Sequence, residues 1–177
     1  RNLLSVKYVV NLLNEDPFED NPSHTVMPGY TYSGIQSGHK IYENTNYVPM
    51  GFTYDTYMTK EYCDSQSEHL RASLMLKAVL LDEKQVEKYS DRLSPLNTEG
   101  YFAFDDNELA ADCTKLAQSS AKSFAYTDTG FTAQIDADKD TLAFFSVPFE
   151  AGWSATVNGK KAPVEKVNVG FMAVPIN

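Results

Sequence analysis

The sequence predicts an α+β fold, with an antiparallel β-sandwich or jelly-roll-like sheet in its C-terminal third and a helical segment in its middle. Three observations predict it. Beyond Phe124, apolar and polar residues alternate with period two, as in a half-buried strand. Between Glu61 and Leu93 the apolar residues recur at three- and four-residue spacing, as on one face of a helix. The dipeptide Asn158-Gly159 supplies two residues that tolerate the positive φ of a two-residue type I′ hairpin turn. A chain of 177 residues can bury a continuous core as one domain. Its parts are strands and a long loop over 1–60, a mainly helical stretch over 61–120 and antiparallel sheet over 121–177.

In chain order, Leu3 to Val10 is a β-branched apolar run that reads as a buried strand. Asn14 to Gly38 holds Pro17, Pro22, Pro28, Gly29, Gly34 and Gly38 and reads as a long loop. Short strands are expected at Lys40 to Glu43 and Gly51 to Tyr54, either side of turn material at Asn44-Thr45-Asn46. The helical pattern of Leu70, Leu74, Met75, Ala78 and Leu81 breaks at Val79 to Asp82, which reads as helix end or as strand. A second helix then runs from Asp82 to Leu93, with Asp82 as N-cap and Gln85 in the capping-box position. Tyr101 to Phe104 is an expected strand, and Glu108 to Ser120 a helix capped by Asn107 with Leu109, Cys113 and Leu116 on one face.

In the last third, Phe131, Ala133 and Ile135 alternate with polar residues, and Leu142 to Phe149 is apolar enough to be buried on both faces. Trp153, Ala155 and Val157 lead into Asn158-Gly159, and strands at Pro163 to Val167 and Phe171 to Val174 complete about five antiparallel strands. The chain starts at Arg1 on a strand-like run and stops at Asn177 within another, as a piece that continues on both sides would.

Composition excludes more than it assigns. With 15 Lys and Arg against 24 Asp and Glu, the formal net charge of -9 repels nucleic-acid phosphates and anionic headgroups. Nucleic acid is therefore not an expected partner. No apolar run reaches the roughly 18 residues of a membrane-spanning helix. Cys63 and Cys113 each stand alone, so neither a zinc site nor a CxxC redox pair is available, while one disulfide and two reduced thiols fit the count equally well.

Catalytic and metal motifs are not expected. Asp136, Asp138 and Asp140 fall at every second position, but an EF-hand loop needs a sixth-position glycine and a twelfth-position glutamate, where Thr141 and Val147 stand. A polar turn is the simpler reading. His24, His39 and His69 have no ligand spacing, and there is neither a GxSxG elbow nor a glycine-rich phosphate loop. No metal, cofactor or catalytic residue follows. Trp153 is the one weak candidate for ligand binding, since an exposed indole offers a stacking face; its alternation with Ala155 and Val157 places it more simply in the core.

The run Leu142-Ala-Phe-Phe-Ser-Val-Pro-Phe-Glu-Ala-Gly-Trp-Ser-Ala-Thr-Val-Asn-Gly-Lys-Lys, continued by Val167-Asn-Val-Gly-Phe-Met-Ala-Val174, resembles the C-terminal extracytoplasmic domain of the YfhO family of bacterial polytopic membrane proteins. Leu3 to Val10, Tyr42-Glu-Asn44 and Pro49-Met-Gly-Phe52 resemble earlier parts of it. That family is similar to the GT-C membrane glycosyltransferases, which move a sugar from a polyprenyl-phosphate donor to a cell-envelope acceptor such as teichoic acid. The resemblance implies catalysis in a membrane part outside this chain, and structural roles here for Gly152 and Gly159 in turns, Trp153 and Phe144 in packing and Pro148 at a strand edge. It implies a non-catalytic accessory domain on the extracytoplasmic face of a bacterial membrane, scaffolding or binding acceptor. Its partners would be the membrane-embedded remainder of the same polypeptide and a cell-envelope glycopolymer. The alternatives are a free-standing carbohydrate-binding module or a glycoside hydrolase domain.

Overall fold

The computed structural model describes residues 1–12, 29–99, 102 and 105–177. At its centre is a four-stranded antiparallel sheet in which Thr141–Pro148 lies between Phe171–Ile176 and the short edge strand Phe52–Thr53, with Glu165–Val167 beyond Phe171–Ile176. The apolar run at Leu142 to Phe145 has the composition of a strand without a solvent face, and all four residues are buried. Phe144 stands opposite Ala173 and Phe52, and Ala143 opposite Val174 and Thr53. Because successive side chains point to opposite faces, this register feeds two cores from one strand.

On the first face, Leu142, Phe144, Val167 and Ala173 pack with Tyr54, Leu81, Tyr89 and Leu116. Phe144 has its ring 4.9 Å from that of Phe52 and 5.8 Å from those of Tyr54 and Phe171. The middle of the chain supplies the other half of this core. Thr56–Thr59 is the centre of a small parallel sheet, flanked by Val79–Leu81 and Ser94–Pro95. Parallel neighbours need crossovers; α1 (Lys60–Ser65) and α2 (Glu68–Lys77) make the first, α3 (Glu83–Tyr89) the second.

The expected helix break is thus a strand, and the capping box at Asp82 forms as its sequence requires. Asp82 Oδ1 accepts from the Gln85 amide at 2.9 Å, and Gln85 Oε1 accepts from the Asp82 amide at 3.1 Å. The last helix of this part, α4 (Asp106–Gln118), buries Cys113 and Leu116 as expected. Its cap is Asp105, whose Oδ1 accepts from the Glu108 amide at 2.8 Å; Asn107 lies inside the first turn and caps nothing. The helix gains a turn start from an aspartate with the same capping chemistry two residues earlier.

On the second face, Ala143, Phe145, Met172 and Val174 meet side chains from two hairpins, Ser123–Thr127 with Gly130–Gln134 and Ala155–Val157 with Lys160–Ala162. The second hairpin turns at Asn158 and Gly159, with φ of 52° and 78°. The strands of the last third therefore form one sheet and two separate ladders laid over it, and the helical middle packs on the opposite face of that sheet. Gly51 permits the closest approach: its φ is +78°, and a Cβ there would lie 2.8 Å from Phe145 Cε1.

The N-terminal strand departs from expectation. Asn2–Leu4 is a 3-10 turn, and the strand Tyr8–Leu12 that follows pairs, among the described residues, with His39–Asn44 alone. Tyr8, Val10 and Leu12 are 49, 57 and 57% exposed. Their β-branched and aromatic character reflects preference for extended backbone rather than burial. The C-terminal part of the expected loop is also strand, Tyr30–Gln36, paired to the other side of His39–Asn44. Residues 13–28 of that loop, and Tyr101, Ala103 and Phe104 of the expected short strand, lie outside the described residues. Asn44 anchors this sheet: its buried amide donates to Asn2 Oδ1 at 2.8 Å and to the Val6 carbonyl at 2.9 Å.

Candidate functional site

The two faces of the central sheet differ in how they end. Against the helices, its polar groups are wired to their neighbours. Glu165, at the sheet edge, accepts from Tyr89 OH at 2.6 Å, Lys88 Nζ at 2.7 Å and Gln85 Nε2 at 3.3 Å. Burial pushes its carboxyl up, but the three donors outweigh that and hold it below the usual glutamate range. Tyr89, buried against that carboxylate, is pushed up to about 12.

A second junction is made by Asn168, 1% exposed. Its Oδ1 accepts from the Leu80 amide at 2.7 Å, and its Nδ2 donates to Tyr54 OH at 3.1 Å. Tyr54 OH in turn donates to the Met75 carbonyl at 2.6 Å. Asn168 and Val169 are the central pair of the turn joining Glu165–Val167 to Phe171–Ile176, at φ 44° and 68°. Asparagine visits this region readily; a valine there is strained, and this one is 76% exposed.

The ionic groups near α2 and α4 are likewise spent on each other. Lys77 Nζ lies 2.5 Å from Glu108 and 2.7 Å from Asp112, and Asp55 bridges Lys115 at 3.0 Å and Lys139 at 3.2 Å. These pairs border a cleft of about 250 Å³ lined by Thr53, Thr56 and Ser119 among others. Asp136 is paired with Lys122, and Asp140 faces Arg92 from 3.9 Å, so the three-aspartate segment is divided between different partners. Cys63 and Cys113 are free and buried, in different clusters. Burial pushes the Cys113 thiol up to about 11, so it is protonated near neutral pH.

The other face holds a cleft of about 440 Å³ between the two hairpins, the largest of the clefts described. Its floor is Ala143, Phe145, Met172 and Val174, the side chains the sheet sends to this face. Phe131 and Trp153 form one wall, their rings 5.8 Å apart, and Val157 and Val164 line the other side. Trp153 is half-buried, so it serves the core with one edge and the cleft with the other. The ring sits against the first hairpin, where a Cβ at Gly130 would lie 3.4 Å from Trp153 Cζ3. The polar side chains at the cleft are uncharged: Thr132, Gln134, Ser154, Thr156, Asn158 and Asn177. A small-molecule pocket of this kind, apolar with a few amides and hydroxyls, falls within the range of roughly 300–1,000 Å³ usual for ligand sites. Alternation with Ala155 and Val157 places Trp153 more simply in the core, with a ligand role as the weaker reading; it is half-buried and packs with the second-face cluster while also lining the cleft.

Fold and cleft together define an α+β packing module, one sheet sealed by helices on one face and left with an apolar, ligand-sized cleft on the other. Residues 96–177 match the family model described as bacterial membrane protein YfhO, so this part of the chain is similar to that family. The match takes in α4, both hairpins and all of the central sheet except Phe52–Thr53. The similarities at Leu3 to Val10 and Tyr42 to Phe52 fall outside it. No curated protein and no solved structure matches the chain. Among the described residues, no helix is long and apolar enough to cross a membrane.

Proposed function

We propose that this chain is a non-catalytic accessory domain, on the extracytoplasmic face, of a YfhO-like membrane glycosyltransferase that modifies a cell-envelope polymer such as teichoic acid. It braces the membrane-embedded remainder of the same polypeptide and holds acceptor near it. The observation that supports this reading is where the family-matched residues go. Phe144, Phe145, Val167, Met172, Ala173 and Val174 all build the two cores of the central sheet. Glu165, within the same match, is occupied by donors from Tyr89, Lys88 and Gln85.

The test is sugar transfer by membranes carrying the full-length protein. Replacing Asp136, Asp138 and Asp140 with Asn leaves turnover within about twofold, whereas loss of a true acid or base costs about a hundredfold or more. A loss of that size overturns the non-catalytic reading. Trp153→Ala raises the KM for acceptor at unchanged kcat if the domain holds acceptor; an unchanged KM leaves only the brace.

A further inference from the structure

Among the described residues, the lining of the large cleft carries no Asp, Glu, Lys, Arg or His side chain, in a chain with 39 charged residues. Phe131 and Trp153 line it together with Ala143, Phe145 and Met172, side chains that offer apolar contact rather than charge. Apolar surface of this kind is stabilised by another apolar body, at roughly 25 cal/mol per Å² removed from water for small-molecule transfer. The amides and hydroxyls at Gln134, Thr156 and Asn158 add uncharged hydrogen-bonding groups to the same cleft.

We infer that this cleft binds the aliphatic chain of an uncharged amphiphile, with its polar head at those amides and hydroxyls. The assignment shares with the acceptor-holding reading the premise that the cleft is a ligand site, but not that reading's polymer. Trp153 is the only tryptophan of the chain and lies in the cleft wall, so its emission reports occupancy directly.

The 177-residue chain is titrated with octyl glucoside below its micelle-forming concentration, with glucose, and with glycerol-phosphate oligomers, following Trp153 emission and the urea unfolding midpoint. Octyl glucoside is expected to blue-shift the emission, to raise the midpoint by mass action and to bind at least about tenfold more tightly than glucose. Ala155→Leu, which narrows the cleft from its wall, abolishes that response. Val157→Ser, which removes apolar wall without filling it, weakens the response and serves if the first variant does not fold. Equal binding of octyl glucoside and glucose, or binding of the oligomers alone, overturns the chain assignment and leaves acceptor holding standing. No response to any of the three overturns both.

Discussion

The two faces of the strand Thr141–Pro148 are made by neighbouring residues of the same chemistry and have different fates. Phe144 enters a core closed by helices, three aromatic partners and the hydrogen-bonded junctions at Glu165 and Asn168. Phe145, one residue on, faces two hairpins that leave a cleft. Side-chain type does not set this difference; the covering element does. Helices with crossovers on both sides of a strand wrap it, whereas a pair of two-stranded ladders can only lie across it. The closed face is fitted for stability, and the open face retains space for a ligand.

The sharpest test of that contrast is truncation at the two positions. Phe144→Ala is expected to cost about 3–5 kcal/mol, because its sealed surroundings cannot collapse into the space, and Phe145→Ala less, because the cleft side can relax. Urea unfolding of both variants measures the gap; equal losses would mean the two faces are packed alike. Next in size, Asn168→Ala leaves the Leu80 amide without its acceptor and removes the donor to Tyr54 OH, which keeps its bond to the Met75 carbonyl, and costs about 1–3 kcal/mol. A loss below about 0.5 kcal/mol, the scale of an ordinary surface change, would show that the junction does not fasten the sheet to the parallel unit.

Glu165→Gln probes the same face through pH. The carboxyl is held below its ordinary range in the folded protein, so its ionised form contributes stability above the unfolded-state pKa of about 4.3. That contribution falls away as pH drops through the depressed folded value. The difference in unfolding midpoint between the native chain and the variant is therefore widest near neutral pH and closes in acid; a gap constant with pH would contradict the assigned charge. The smallest effect is expected at α4, which contributes Leu116 to the closed core. Asp105→Ala costs about 1 kcal/mol by loss of the cap, and Asn107→Ala close to nothing.

Much of the architecture could be read from residues that carry their own geometry. Asn158-Gly159 declares a turn by its tolerance of positive φ, and Asp82 with Gln85 declares a helix start by reciprocal bonds across three residues. The buried run at Leu142 was legible because only a strand covered on both sides has no polar alternation. The parallel unit was not. Thr56–Thr59, Val79–Leu81 and Ser94–Pro95 are too short to show a period, and their pairing is set by the helices between them. The turn between Val167 and Phe171 was legible from the strands on either side, but not its left-handed conformation, because a valine occupies a place that usually holds glycine. At the N-terminus the apolar run of Tyr8 to Leu12 overstated burial, since it marks strand preference in a strand that, among the described residues, is paired on one side. Of the cleft only Trp153 stands out in the sequence, and weakly: its apolar lining carries the pattern of core positions and its polar lining that of solvent-facing strand positions, so the cleft follows from how the two ladders lie on the sheet.

The placement of Phe52–Thr53 bears on how the molecule is made. This edge strand completes the central sheet by pairing with Ala143 and Phe144, which leave the ribosome long after it. Until then Tyr54, Leu81, Tyr89 and Leu93 have no opposite wall, although the parallel unit they belong to has all its strands. A segment in that condition exposes apolar surface and invites association with other chains. The nascent N-terminal half thus needs shielding, by a chaperone or by haste, for as long as the last strand is still being synthesised.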